Sequence, residues 1–69
     1  MDEKQTYYRI IGDLWKYMKK HLPAADTDEW AKSVVEGART FATEHDNSRF
    51  AQELAQAAMW ELDRLAKGE

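Results

Sequence analysis

The sequence predicts an all-α protein, an up-down-up antiparallel three-helix bundle that forms a single domain over residues 1–69. Apolar residues recur every three or four positions in three stretches, residues 3–22, 27–45 and 48–67, which is the spacing of amphipathic helices. Residues of the types that cap helices precede each stretch. The two breaks are short, and short connections place consecutive helices side by side and antiparallel.

The first stretch has a wide apolar face and a defined end. Its apolar residues cover about half of a helical wheel drawn at ~100° per residue. Asp2, with Gln5 three positions later, resembles a capping box. Pro23 ends the helix, because proline disfavours helical geometry at the preceding residue and has no N–H to donate. The width of the face predicts that some of its aromatic residues, such as Tyr8 and Tyr17, stay exposed.

The second stretch begins at a strong capping signal and contains a glycine. Asp26 or Thr27 is expected to cap this helix. Gly37 lies at the edge of the apolar face, where a glycine costs about 1 kcal/mol relative to alanine. We therefore expect a neighbouring helix to approach closely at Gly37. The expected core residues of this helix are Trp30, Val34, Ala38, Phe41 and His45.

The third stretch starts at Asn47 or Ser48, either of which can cap it, and stops at Gly68. Two of its residues depart from the amphipathic pattern. Trp60 lies among polar residues, and Glu61 lies inside the apolar stripe. An aromatic residue and a carboxylate that are both out of phase are the clearest functional signal in this chain. The expected core residues are Phe50, Leu54, Ala57, Ala58, Leu62 and Leu65.

Composition narrows the classes of protein that the chain can belong to. A chain of 69 residues has a small core, because it buries only about 60% of its unfolded surface. The sequence has no cysteine, which excludes disulfides and thiolate zinc sites. It has no apolar run near the ~20 residues that cross a bilayer, and its first residues do not resemble a secretory signal. We expect a cytoplasmic protein with no membrane association.

The residue types that carry catalysis or bind metals lack the spacing that these chemistries need. His21 and His45 are predicted at opposite ends of the bundle, so no shared metal is expected. His45, Asp46 and Ser48 fall within one tight turn, whereas a catalytic triad draws its members from separate elements. Neither a metal nor a cofactor is predicted, and the sequence does not indicate an enzyme.

Glu61 has three interpretations from the sequence. It is a buried acid with a raised pKa that transfers protons, or it pairs with Lys4, Arg64 or a histidine, or its carboxylate reaches the rim of the bundle. We predict that Glu61 forms a structural ion pair or reaches the rim of the bundle.

Basic residues on the first helix allow a nucleic-acid alternative. Arg9, Lys16 and Lys20 form a strip there, and residues 1–21 carry five basic and three acidic side chains. The chain as a whole has a net charge of -3, and residues 22–46 carry six acidic against two basic side chains, which would repel phosphates. A small DNA-binding or transcription-modulating protein is therefore the alternative and not the main prediction.

The main prediction is a non-enzymatic module that binds a partner protein or a second copy of itself as a homodimer. Trp60 is the expected anchor, since tryptophan is enriched among the residues that dominate binding energy. The expected contact surface combines Trp60 and Arg64 with Tyr8 or Tyr17, and Glu61 lies beside it.

Four segments of the chain resemble a known group of proteins: residues 7–17, 26–30 and 49–54, and the pair Glu61 and Leu62. They resemble small proteins encoded by prophages and integrative elements of Gram-positive bacteria. The resemblance spans nearly the whole chain but uses core and capping residues, so it transfers no binding residue. It implies an accessory protein of a mobile element that binds a host or defence protein.

Overall fold

The computed structural model describes residues 2–68, which form three α-helices and no strand within that range. The helices are α1 (Glu3–Lys20), α2 (Asp28–Glu44) and α3 (Arg49–Ala66). They pack against one another, so the predicted three-helix bundle is confirmed. The predicted ranges were one or two residues too long at most ends, because they included residues that cap a helix without helical backbone geometry, such as Thr27 and Ser48.

Each helix begins with a side-chain cap. Asp2, Thr27 and Ser48 have extended backbones, and their side-chain oxygens accept a backbone N–H from two or three residues further on, at 3.1–3.2 Å. The cap satisfies one of the N–H groups that a helix start leaves without a partner. Of the residues that the sequence allowed, the structure uses Thr27 and not Asp26, and Ser48 and not Asn47.

A tight turn joins α2 to α3. Asp46 and Asn47 both have positive φ, 60° and 52°, a conformation that these two residue types tolerate better than most. The N–H of Asn47 donates to the carbonyl of Ala42 at 2.8 Å, which closes the end of α2. The chain thereby reverses direction within four residues.

Contacts between the helices fix their directions. At the end of α1, His21 bonds to Ser33 near the start of α2, and α1 is therefore antiparallel to α2. Tyr7 near the start of α1 contacts Phe50 near the start of α3, so these two helices run parallel. The order is up, down, up, as predicted.

The core combines five alanines with few large side chains. Its large buried residues are Ile10, Tyr17, Val34, Phe41 and Leu62, and its alanines are Ala38, Ala42, Ala51, Ala55 and Ala58. Four of the five predicted core residues of α2 are among them or packed against them. Small side chains let two helices approach closely, and α2 and α3 share the most extensive contact in the bundle.

The predicted core stripe of α3 was right in part, since Ala58 and Leu62 are buried and Leu54 packs against the core. Phe50, Ala57 and Leu65 are exposed, whereas Ala51 and Ala55 are buried. The large apolar residues of α3 were expected to point inward. Alanines of α3 fill much of the close contact with α2 and Leu62 is buried with them, whereas Phe50 and Leu65 lie on the flanks.

Two glycines in helix interiors have opposite surroundings. A methyl group placed at Gly37 would lie 2.7 Å from Cε1 of Tyr17, so the predicted close approach at this glycine is confirmed. A methyl group placed at Gly12, in the middle of α1, would meet nothing within 4 Å.

This contrast predicts opposite effects of the same substitution. Gly37→Ala should lower the free energy of unfolding by about 1–2 kcal/mol, because the Tyr17 ring must shift and the strain exceeds the gain in helix propensity. Gly12→Ala should raise it by about 0.5–1 kcal/mol through helix propensity alone. Urea denaturation at micromolar protein concentration measures both. Shifts of the same sign in the two variants would contradict the assigned packing.

Candidate interaction surfaces

Tyr17 is part of the core, which corrects one sequence prediction. It was expected among the exposed aromatics of the first helix, but only 7% of it is exposed. Its ring lies in the space that Gly37 leaves open, and its hydroxyl donates to the carbonyl of Val34 at 2.8 Å. Burial raises the pKa of Tyr17 to about 12. The helical wheel showed an apolar face wider than the core, but it did not show which part of that face α2 covers.

A buried histidine extends this contact between α1 and α2. Nδ1 of His21 lies 2.8 Å from the carbonyl of Tyr17, and a carbonyl only accepts, so Nδ1 carries the proton. In the neutral ring Nε2 then accepts from the hydroxyl of Ser33 at 2.9 Å. The indole N–H of Trp30 donates to the carbonyl of His21 at 2.9 Å. These side chains tie the end of α1 to the start of α2.

The second histidine has a separate partner. Nε2 of His45 lies 2.9 Å from a carboxylate oxygen of Asp13, and the imidazole is nearly buried beside Phe41. The two histidines therefore occupy different contacts, and no group of three or more His, Cys, Asp or Glu residues within residues 2–68 is arranged to hold a metal ion. The pairing with Asp13 was missed, because the two residues lie 32 positions apart and no local pattern links them.

The residue types of a hydrolytic triad have structural roles here. Ser48 caps α3, and His45 pairs with Asp13 of another helix. Asp46 lies in the turn that follows α2. The prediction that the chain is not an enzyme stays a prediction.

Glu61 forms an ion pair on α3. Both of its carboxylate oxygens accept from the guanidinium of Arg64, one of them at 3.0 Å from Nε. The hydrogen bond from Arg64 holds the pKa of Glu61 below its ordinary value. The interpretation of Glu61 as an acid with a raised pKa is wrong, and its predicted pairing with Arg64 is confirmed.

Trp60 is exposed, as predicted, and lies beside α2. The indole is 69% exposed and forms one edge of a groove of about 270 Å³ between α2 and α3. A second hollow of about 260 Å³ continues the groove, and the two hollows share Val35, Gln56 and Met59. We call these two hollows together the Trp60 groove. Its floor and walls include Trp30, Ala31, Val34, Val35, Ala38, Ala42, Ala55 and Met59.

The predicted surface that joined Trp60 to the first helix is not formed. Tyr17 is buried, and the Trp60 groove is lined by α2 and α3 without Tyr8. Trp60 lies instead beside Trp30 and Ala31 of α2. Arg64 follows Trp60 by one turn and donates to Glu61.

A second apolar surface lies across α1 and α3. Tyr8, Ile11 and Trp15 are exposed on α1 at positions i, i+3 and i+7, and we call this row the α1 seam. Tyr7 meets Phe50 of α3 in an edge-on ring contact with centroids 5.3 Å apart. The sequence indicated a wide apolar face on this helix, and these residues are the part of it that the core leaves uncovered.

The predicted basic strip lies among acidic residues. Lys16 and Lys20 line a groove of about 520 Å³ between α1 and α2, and Glu36 and Glu44 line the same groove. Lys16 also lies 4.0 Å from the carboxylate of Asp13. A nucleic-acid backbone on this strip would meet these carboxylates as well as the lysines.

Arg9, the third member of the strip, lines a neighbouring hollow together with Glu44 and Asp46. The basic residues therefore do not form a continuous positive face.

Comparisons with known proteins add no family to this description. Protein-family models, curated proteins and solved structures gave no significant match to the chain. Across residues 2–68, the helices are too short or too polar to cross a membrane.

The raised pKa of Tyr17 predicts a loss of stability at alkaline pH. The folded protein holds the phenolic proton up to a pKa of about 12, against a pKa of 10.0 for a free tyrosine. The contribution of Tyr17 is therefore complete below pH 10 and is lost as the pH rises towards 12. We expect it to amount to about 2 kcal/mol.

The test compares urea denaturation of the wild type and Tyr17→Phe from pH 8 to pH 12. The variant should be less stable at pH 8, because the hydrogen bond to Val34 is lost, and the difference should close towards pH 12. Tyr8→Phe, which alters an exposed ring, is the matched control and should follow the wild type. A constant difference between wild type and Tyr17→Phe over the whole range would disprove this prediction.

Proposed function

We propose that this protein is a non-enzymatic interaction module that binds a partner protein through the Trp60 groove. The observation that carries the proposal is the distribution of its large apolar side chains. Within residues 2–68 nine of them are exposed, whereas five are buried together with five alanines. Exposed apolar area costs free energy in water, and its burial against a partner recovers about 25 cal/mol per Å².

Trp60 has the properties of a binding anchor. Its large ring is exposed at the edge of an apolar groove, beside Val35 and Met59. Tryptophan and arginine are enriched among the residues that dominate binding energy, and Arg64 lies one turn away. The carboxylate of Glu61 holds the guanidinium of Arg64 in place, which reduces the entropy that the arginine loses on binding.

The form of the groove favours a helix as its occupant. It runs between α2 and α3, and alanines form much of its floor, so the backbone of a third helix can come close. Arg39, Gln52, Gln56 and Asp63 give it a polar rim. An amphipathic helix that lays its apolar face into such a groove is a recurrent mode of recognition.

The identity of the partner rests on the resemblance to proteins of mobile elements. That resemblance implies a host or defence protein. The cytoplasm is the proposed location because the sequence has no apolar run that could cross a bilayer and its first residues do not resemble a secretory signal. The nucleic-acid alternative has less support, because Glu36 and Glu44 stand opposite Lys16 and Lys20. Salt-dependent binding to DNA that is lost in Lys16→Glu plus Lys20→Glu would favour it.

Photo-crosslinking tests the groove directly. A photoreactive phenylalanine analogue at position 60 should give a discrete adduct in cells, and the adduct identifies the partner. The purified partner should then bind Trp60→Ala at least tenfold more weakly than wild type, a loss of about 1.4 kcal/mol or more.

Tyr8→Ala is the matched control, since it removes an exposed aromatic ring outside the groove. It should bind as the wild type does, and circular dichroism should show all three proteins folded. Equal binding by wild type and Trp60→Ala would disprove the proposed role of the groove.

A further inference from the structure

The α1 seam has the spacing of a helix-packing surface. Tyr8, Ile11 and Trp15 are followed by Met18, so apolar residues recur within α1 at intervals of three, four and three. This is the heptad spacing by which two helices pack along each other. Met18 packs against the core, and the other three residues are exposed, so the row is open to a helix from outside.

One residue of α3 extends this surface, since Phe50 contacts Tyr7 at one end. At 1.5 Å per residue the row from Tyr8 to Met18 is about 15 Å long.

Gly12 lies in this surface without a neighbour to account for it. It is one turn from Tyr8 and from Trp15, in the interior of α1, where glycine is less stable than alanine. At Gly37 the close packing of Tyr17 accounts for the missing side chain. At Gly12 no atom lies within 4 Å of the position that a methyl group would take. A helix from another molecule that packs onto the seam would use this space.

The exposed apolar area on this side is large enough for a homodimer interface. Tyr7, Tyr8, Trp15 and Phe50 are 51%, 80%, 56% and 39% exposed. An aromatic side chain offers about 150–250 Å², so these four expose roughly 350–550 Å². One side of a standard interface buries about 800 Å², of which about 65% is apolar in homodimers. The four rings alone supply most of that apolar area.

We infer that the α1 seam, with Phe50, binds a second copy of this chain in a two-fold symmetric dimer. The surface carries the exposed rings of Tyr8 and Trp15, and beside them Gly12, which has no side chain and open space around it. In a two-fold contact the same patch faces itself, so the rings of one copy can lie against Gly12 of the other. The inference rests on the same excess of exposed apolar side chains as the proposed function, but it uses a surface that does not include Trp60.

Sedimentation equilibrium from about 1 µM to about 1 mM tests the dimer. The wild type should reach twice the monomer mass. Gly12→Gln should raise the dissociation constant at least tenfold, because the new side chain occupies the space that the other copy would use. The same variant should melt at a higher temperature than the wild type at the lowest concentration, because glutamine favours helix more than glycine does.

Trp15→Ala should weaken the dimer as Gly12→Gln does, and Trp60→Ala is the control that should dimerise like the wild type. A wild type that stays monomeric at ~1 mM would overturn the inference, and so would a mass that grows beyond two copies. A dissociation constant that is unchanged in both seam variants would also overturn it. Photo-crosslinking at position 60 does not depend on this result, so failure of the dimer and failure of the proposed function can be told apart.

Discussion

The seating of Tyr17 against Gly37 determines how α1 lies on α2. A side chain at position 37 would occupy the place of the ring, and the hydroxyl of Tyr17 is held by the carbonyl of Val34. His21, one turn further on, fixes the same interface through Ser33. Once Tyr17 and His21 point inward, the rotation of α1 about its own axis is set. Tyr8, Ile11 and Trp15 then have to lie outside, whatever their affinity for an apolar core.

The packing of α2 against α3 also leaves large apolar side chains exposed. Alanines occupy much of this interface, so the two helices come close, and Leu62 is fully buried with them. Phe50, Trp60 and Leu65 lie on the flanks and stay exposed. The two apolar surfaces of the bundle are therefore consequences of its two close helix contacts. The contact between α1 and α2 is centred on Gly37, and the contact between α2 and α3 is lined with alanines.

Much of this fold could be predicted from local sequence patterns, but part of the candidate surfaces could not. The three helices, the cap at Ser48, the close approach at Gly37 and the exposure of Trp60 were all predicted, because capping and helical period act within a few residues. The burial of Tyr17 and the exposure of Phe50 and Leu65 were mispredicted. A helical wheel gives the width of an apolar face, but only the positions of neighbouring helices decide which part of it is covered. The bond between Asp13 and His45 joins residues 32 positions apart, so no local pattern indicates it.

The turn at Asp46 and Asn47 has a bearing on how the molecule assembles. Two successive residues in the left-handed conformation bring the end of α2 and the start of α3 together within four positions, at little entropic cost of loop closure. The α2–α3 hairpin is thus the most local tertiary unit of the chain, since the connection between α1 and α2 spans the longer range 21–27.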